Sequence, residues 1–270
     1  MSAIALALIA LLGPLVLGEI HYRTSQSGIW QVQGGDLANL VLAVPLLFIG
    51  GALHLFRREG AKYFLILPPL TLIYTGLSLG IGNEWGNPAY TGNAENYWWL
   101  FLTVIIGGLV VLIASLSMFT PKDAPEFNRR SLRVYVALMS LFLLVFAAMW
   151  ISEISQVVST GDTENGSYQE TPTVFWVVRY LDLGFTIPLG FLSLFLLLSN
   201  PKRSYSMLML FFGFFITMGT GVNAMAWFMW LNDDPNLQSS ALVMFGAIAI
   251  MSYAGFIYIV RDKLRLLFKR

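Results

Sequence analysis

Arg179 and Asp182 stand three residues apart inside an apolar run, in the stretch VVRYLDLGFTIPLGF that covers 177–191. At helical spacing they share a face, with Thr186 one turn beyond, so a cation, a carboxylate and a hydroxyl line one side of a single helix. An ionised side chain at the centre of a bilayer costs about 2.5–3.5 kcal/mol on insertion scales, and mutual contact or a wet cavity has to offset it. Two readings follow. Either Asp182, Arg179 and Thr186 form a site for a substrate, an ion or a proton, or an interhelical or intrahelical salt bridge fixes packing, with Arg179 snorkelling outward. Pro188 cannot donate to the carbonyl of Gly184, which predicts a bend beside these residues.

Three more polar positions belong with them. Asp36 and Asn39 open the run GGDLANLVLAVPLL, where Asp36 is placed to cap the N-terminus of a helix and Asn39 to reach a neighbouring one. Asn223, in TMGTGVNAM, is either a donor into a cavity or part of a packing face with Gly219 and Gly221. His21 and His54 are the only imidazoles and fall at opposite ends of the apolar runs. Glu19 and His21 with Asp36 offer only a weak outer cation site without a recognised ligand spacing, so no metal centre is expected. The absence of cysteine excludes disulfides and thiol chemistry. No convergent set of acid, base and metal ligands supports catalysis, so the reading leans away from an enzyme. Neither a Gly-rich phosphate loop nor a basic nucleic-acid patch is present.

The elements that must position these residues are membrane helices. Of the 270 residues 57% are hydrophobic and only 11% charged, against about 25% charged in soluble domains. Eight apolar runs, 2–18, 37–56, 63–82, 97–119, 132–152, 174–199, 205–231 and 240–260, are close to the roughly 20 residues that cross the hydrocarbon. They are continuous rather than alternating, which favours helices over barrel strands. The expected fold is therefore an all-α polytopic bundle of about eight transmembrane helices, a single integral membrane domain over 1–270. The first run lacks a basic n-region and is read as a retained span.

Charge sets the expected orientation. When loops alternate between two sides, one side receives every lysine and arginine except Arg23 and Arg179, and the other is acidic. The positive-inside rule then places both termini in the cytoplasm and the chain in the cytoplasmic (inner) membrane. Tyr97, Trp98, Trp99, Trp176, Trp227 and Trp230 gather near the outer ends as interfacial anchors. The second and sixth runs each start near an aspartate, contain a proline and end before a basic turn. As a parallel repeat they would turn Asp36 and Asp182 toward one central cavity.

The segment RYLDLGFTIPL, residues 179–189, resembles the third helix of microbial rhodopsins, where such a run supplies the retinal counter-ion and its arginine. The resemblance implies those roles for Asp182 and Arg179. The last run, SSALVMFGAIAIMSYAGFIYIV, has no lysine, and none lies within any of the eight runs, so covalent retinal is not expected and no other cofactor is called for. Over QGGDLANLVLAVPLL, LIYTGLSLGIGNEWGNPAY and VVRYLDLGFTIPLGFLSLFLLL the chain is similar to a group of prokaryotic multi-pass membrane proteins known mainly as uncharacterised, which implies an architecture and no activity.

The expected function is a small-molecule-binding or sensory membrane module, or an accessory membrane subunit, with its polar site around Arg179 and Asp182. The alternative is a secondary transporter or channel for a cation or small solute. The expected partners are the lipid bilayer, a small molecule or ion, and a membrane-protein partner or second copy of the chain, with no nucleic acid.

Overall fold

The computed structural model describes residues 1–163, 166–237 and 239–261, the backbone alone at 239–241. Most of the basic tail, 262–270, and Glu164 of the acidic side lie outside the described residues. Among the described residues every regular element is helical. Seven helices are long and apolar enough to cross a membrane.

The first run behaves differently from the other seven. It forms α1, Ser2–Leu12, of 11 residues, because Gly13 leaves helical backbone with ψ near 179° and Pro14 follows. At 1.5 Å per residue that is about 16 Å, half the hydrocarbon thickness. The described chain thus has seven candidate spans where the sequence suggests eight. These are α2 (Gln26–Leu55), α3 (Ala61–Ile81), α4 (Ala94–Ser117), α5 (Arg129–Thr160), α6 (Pro172–Ser199), α7 (Tyr205–Leu231) and α8 (Leu242–Val260, its helix beginning at Ser239). Their outward surfaces carry exposed Leu, Ile, Val and Phe, as lipid contact requires. Trp98, Trp99, Trp227 and Trp230 are exposed at the end that carries the acidic connections, here the acidic end.

α2 begins well before its apolar run. Ser25 caps it by accepting from the Gly28 N–H at 3.2 Å, so Asp36 is ten residues inside the helix and does not cap it. That corrects the capping role expected for Asp36. The early start places Asp36 about 15 Å below the acidic end.

Both α2 and α6 contain one π-helical turn, at Asn39–Ala43 and Asp182–Thr186. Each is closed by the same bond, Val44 N–H to Asn39 O and Ile187 N–H to Asp182 O, and each precedes a proline, Pro45 or Pro188. A proline mid-helix leaves a carbonyl without its usual donor, and the wider turn absorbs that mismatch. Aligned on these turns, NLVLAVPLLF at 39–48 falls on DLGFTIPLGF at 182–191. Asn39 then corresponds to Asp182 and Asp36 to Arg179, a register three residues from the aspartate-to-aspartate match read from sequence.

The helices pack as α2–α4 with α1 against α4 and α2, and as α6–α8 with α5 against α6. The groups join where α2 crosses α7 and where α3 meets α6 and α7. Two glycines permit this. A Cβ at Gly34 would overlap the backbone of Ala224 and Met225, and one at Gly213 would overlap the backbone of Leu67. At the α3–α7 contact the Thr71 and Thr217 hydroxyls are 2.6 Å apart; Thr217 donates to Gly213 O, so Thr71 is the donor between them.

Gly34→Val and Gly213→Val are expected to cost at least about 2 kcal/mol each, as forced overpacking does, whereas Gly51→Val, with nothing within 4 Å of its added Cβ, is expected to stay close to wild type. Thermal denaturation in detergent checks this; equal behaviour of all three variants contradicts the close crossings.

Candidate functional site

Between α2, α3, α5, α6, α7 and α8 lies a cavity of about 380 Å³. Its rim at the acidic end includes Thr24, Ser25, Ser167, Glu170 and Asn236, and its deepest walls include Asn39, Thr71, Asp182, Phe214 and Thr217. Beyond these, Leu143, Ile187, Leu194, Phe211 and Ile216 belong to a fully packed core that continues toward the basic end. The cavity therefore runs from the acidic end to the level where this core begins.

Arg179 is held on the α6 wall. Its Nη2 donates to Glu153 Oε2 in an ion pair, and the two side chains are 11% and 15% exposed. Its guanidinium lies 3.7 Å from the centre of the Phe175 ring and 4.2 Å from that of Trp150. This aromatic sandwich supplies cation–π attraction where water is scarce. Arg179 Nη1 also reaches Phe175 O at 3.3 Å. The carboxylate partner of Arg179 is thus Glu153, 26 positions away on α5, and not Asp182, three positions along its own helix.

Asp182, 5% exposed, accepts from Trp150 Nε1–H at 2.9 Å. The hydroxyls of Tyr74 and Thr186 are further hydrogen-bonding partners. Trp150 therefore serves both charged residues, one through its ring face and the other through its N–H. Arg179 and Asp182 line the cavity and Thr186 is buried beside Asp182, while α5 and α3 bring the further partners Glu153, Trp150 and Tyr74.

A second device fixes the start of α6. Glu84, buried in the α3–α4 connection, accepts from the Thr173 N–H at 2.8 Å and the Val174 N–H at 3.4 Å, while its other oxygen accepts from Thr173 Oγ1 at 2.8 Å. These are orphan donors at the positive pole of a helix, and a carboxylate there is doubly favoured. The same connection is tied to residues 19–23 by Arg23, which donates to Glu95 and Gly92 O, and by Asn93, which donates to Glu19 O.

Asp36 lines the opposite wall. It is 1% exposed, and neither carboxylate oxygen has a hydrogen-bond partner among the described residues. A side chain at Gly13 would strike its Oδ2, so the end of α1 abuts the carboxylate. Tyr22 is nearby with its own hydroxyl unpartnered; burial first, and then the Asp36 charge, push its phenol well above the ordinary range, so it stays neutral. Asn39, one turn below Asp36, is buried and also lines the cavity.

Asn223 is placed elsewhere: its Nδ2 donates to Gly219 O at 2.7 Å, and its Oδ1 lies beside Gly246 of α8. It is not on the cavity wall. Its two glycine neighbours separate in role. Both line the cavity, but Gly219 packs against Ala249, whereas Gly221 has open space where its Cβ would point. Among the described residues no three His, Asp or Glu come together as a metal-binding group.

Sequence reasoning did not find Trp150, Glu153, Tyr74, Tyr22 or Glu84. Glu153 carried the one available signal, a carboxylate at the edge of an apolar run with no local partner. Comparison with protein-family models, curated proteins and solved structures finds no match, so the resemblances noted above rest on their own residues.

Breaking the α5–α6 ion pair from either side leaves a buried unpaired charge, so Glu153→Gln and Arg179→Gln are each expected to cost about 3 kcal/mol or more. The double variant is expected to be less destabilised than the sum, with a coupling of at least about 1 kcal/mol. A double-mutant cycle on stability measures it, and additivity would remove the pair as the tie between α5 and α6.

Proposed function

We propose that this chain is an integral protein of the cytoplasmic membrane that binds a small molecule in the cavity lined by Asp36, Asn39, Tyr74, Arg179 and Asp182. In this reading it acts as a sensory module or as the ligand-binding subunit of a larger membrane assembly. The basic connections at 56–60, 118–128 and 200–204 support a cytoplasmic basic end by the positive-inside rule. The cavity then faces the outside, and α8 ends at the cytoplasm. The observation that carries the proposal is a cavity that reaches the acidic end and stops at packed core toward the other. At about 380 Å³ it is at the small end of the usual range for ligand pockets, roughly 300–1,000 Å³.

Gly221 provides the test. A phenylalanine there starts from a Cβ with nothing within 4 Å, on the cavity wall, and replaces a helix-interior glycine. Gly221→Phe is expected to keep its thermal midpoint within a few degrees of wild type, while the small molecules recovered by mass spectrometry from purified protein fall by about tenfold or more. The same bound molecules in both proteins, or none in wild type, would count against the reading.

The paired π turns and prolines on α2 and α6 support a transport reading as the alternative. Hinges facing each other across a midplane cavity are what alternating access uses. In that case ligand bound at the acidic end is released at the basic end of proteoliposomes, and Gly221→Phe stops the flux.

A further inference from the structure

Resting on the cavity-binding reading, we propose that the ligand is a small organic cation, an ammonium carried on an apolar or aromatic body, and that Asp36 receives its charge.

Asp36 is the strongest unmet demand in the molecule. A carboxyl buried to this degree without a partner is rare, since the desolvation cost of the charged form is met only by hydrogen bonds or an opposite charge. No described protein group supplies either. Protonation alone does not resolve it, because the acid O–H would still need an acceptor. The end of α1 offers no relief. Gly13 follows its last turn and backs against Asp36 Oδ2, and its N–H is spent on Ile9 O. An ammonium supplies both the donor and the opposite charge.

The remaining charges on the wall point the same way. Asp36, Glu153, Glu170 and Asp182 line the cavity, and Arg179 is the only lysine or arginine that does. Arg179 is committed to Glu153 and enclosed by two aromatic rings. An anionic ligand would therefore meet an excess of carboxylates, and a neutral one could donate a hydrogen bond to Asp36 but would bring no opposite charge. A divalent metal ion needs several oxygen ligands gathered within coordination range, and no group of three or more His, Asp or Glu is gathered among the described residues. An organic ammonium requires one carboxylate, neutral acceptors and aromatic surface. Tyr22 Oη and Ser78 Oγ are both on the wall and unpartnered, and Tyr74, Phe214, Phe215 and Phe245 supply the apolar surface.

The test uses three probes that share one ring and differ in charge: 2-phenylethylammonium, 2-phenylethanol and phenylacetate. Each is titrated calorimetrically into the full chain in lipid nanodiscs, as wild type, Asp36→Asn and Gly221→Phe. Wild type is expected to bind the ammonium saturably, the alcohol about tenfold or more weakly, and phenylacetate not at all. Asp36→Asn is expected to lower ammonium affinity by about thirtyfold and erase the preference over the alcohol. The charge preference in wild type needs no variant, so a poorly folding Asp36→Asn does not block the test. Equal binding of ammonium and alcohol, or a preference that survives in Asp36→Asn, overturns the cation assignment while the cavity reading stands, provided Gly221→Phe still blocks binding. Binding unaffected by Gly221→Phe, or no saturable binding of any probe, overturns both.

Discussion

A guanidinium inside a bundle bathed by lipid must be paired, stacked or hydrated, and the polar half of this structure is arranged around how Arg179 meets that demand. Glu153 neutralises it, Phe175 and Trp150 cover its two faces, and Trp150 then turns its N–H to Asp182. Because Trp150 and Glu153 lie one turn apart near the acidic end of α5, that helix is held to α6 by one ionic and one aromatic contact at the same height. Asp182 in turn reaches Tyr74 on α3. A charge that would destabilise an isolated helix thus decides which three helices share a wall.

The start of α6 has to be fixed for that wall to have a definite height. Pro172 begins the helix without an N–H to offer, and Glu84 takes the next two backbone donors from a connection almost ninety positions earlier in the chain. Below, the π turn before Pro188 shifts the register by one residue and keeps Asp182 and Thr186 turned inward, where both are buried. α2 solves the same geometric problem with the same devices, a π turn and Pro45, at the level where Asn39 enters the cavity.

Hydropathy made the seven long helices legible, because a bilayer asks each span for the same length and the same apolar surface. It overread the first run, since Gly13 and Pro14 stop α1 while apolar residues continue to Leu17. Spacing puts Arg179, Asp182 and Thr186 near one another on one helix but does not reveal the partner of the arginine, for local proximity is visible in sequence and Glu153 is brought in by tertiary packing. Asp36 has the position of a cap only if the helix begins with the apolar run, whereas the polar stretch QSGIWQVQGG is helical too and carries the cap back to Ser25. Nothing in the spacing of Gly219 and Gly221 could separate a packing glycine from one that opens a cavity. That depends on which neighbour each faces.

The two carboxyls differ because their neighbouring helices differ. In chain order α1 precedes α2 as α5 precedes α6, and both pairs connect at the acidic end. Helix α5 brings Trp150 and Glu153 to the level of the charges on α6, so that Arg179 and Asp182 are met within the protein. Helix α1 is SAIALALIALL, apolar beyond Ser2, and it stops at Gly13 against Asp36, with no side chain able to donate. The wall of α6 is therefore closed electrostatically by the fold itself, which makes it a source of shape. The wall of α2 is left unmet, because α1 brings neither a donor nor a positive charge to Asp36.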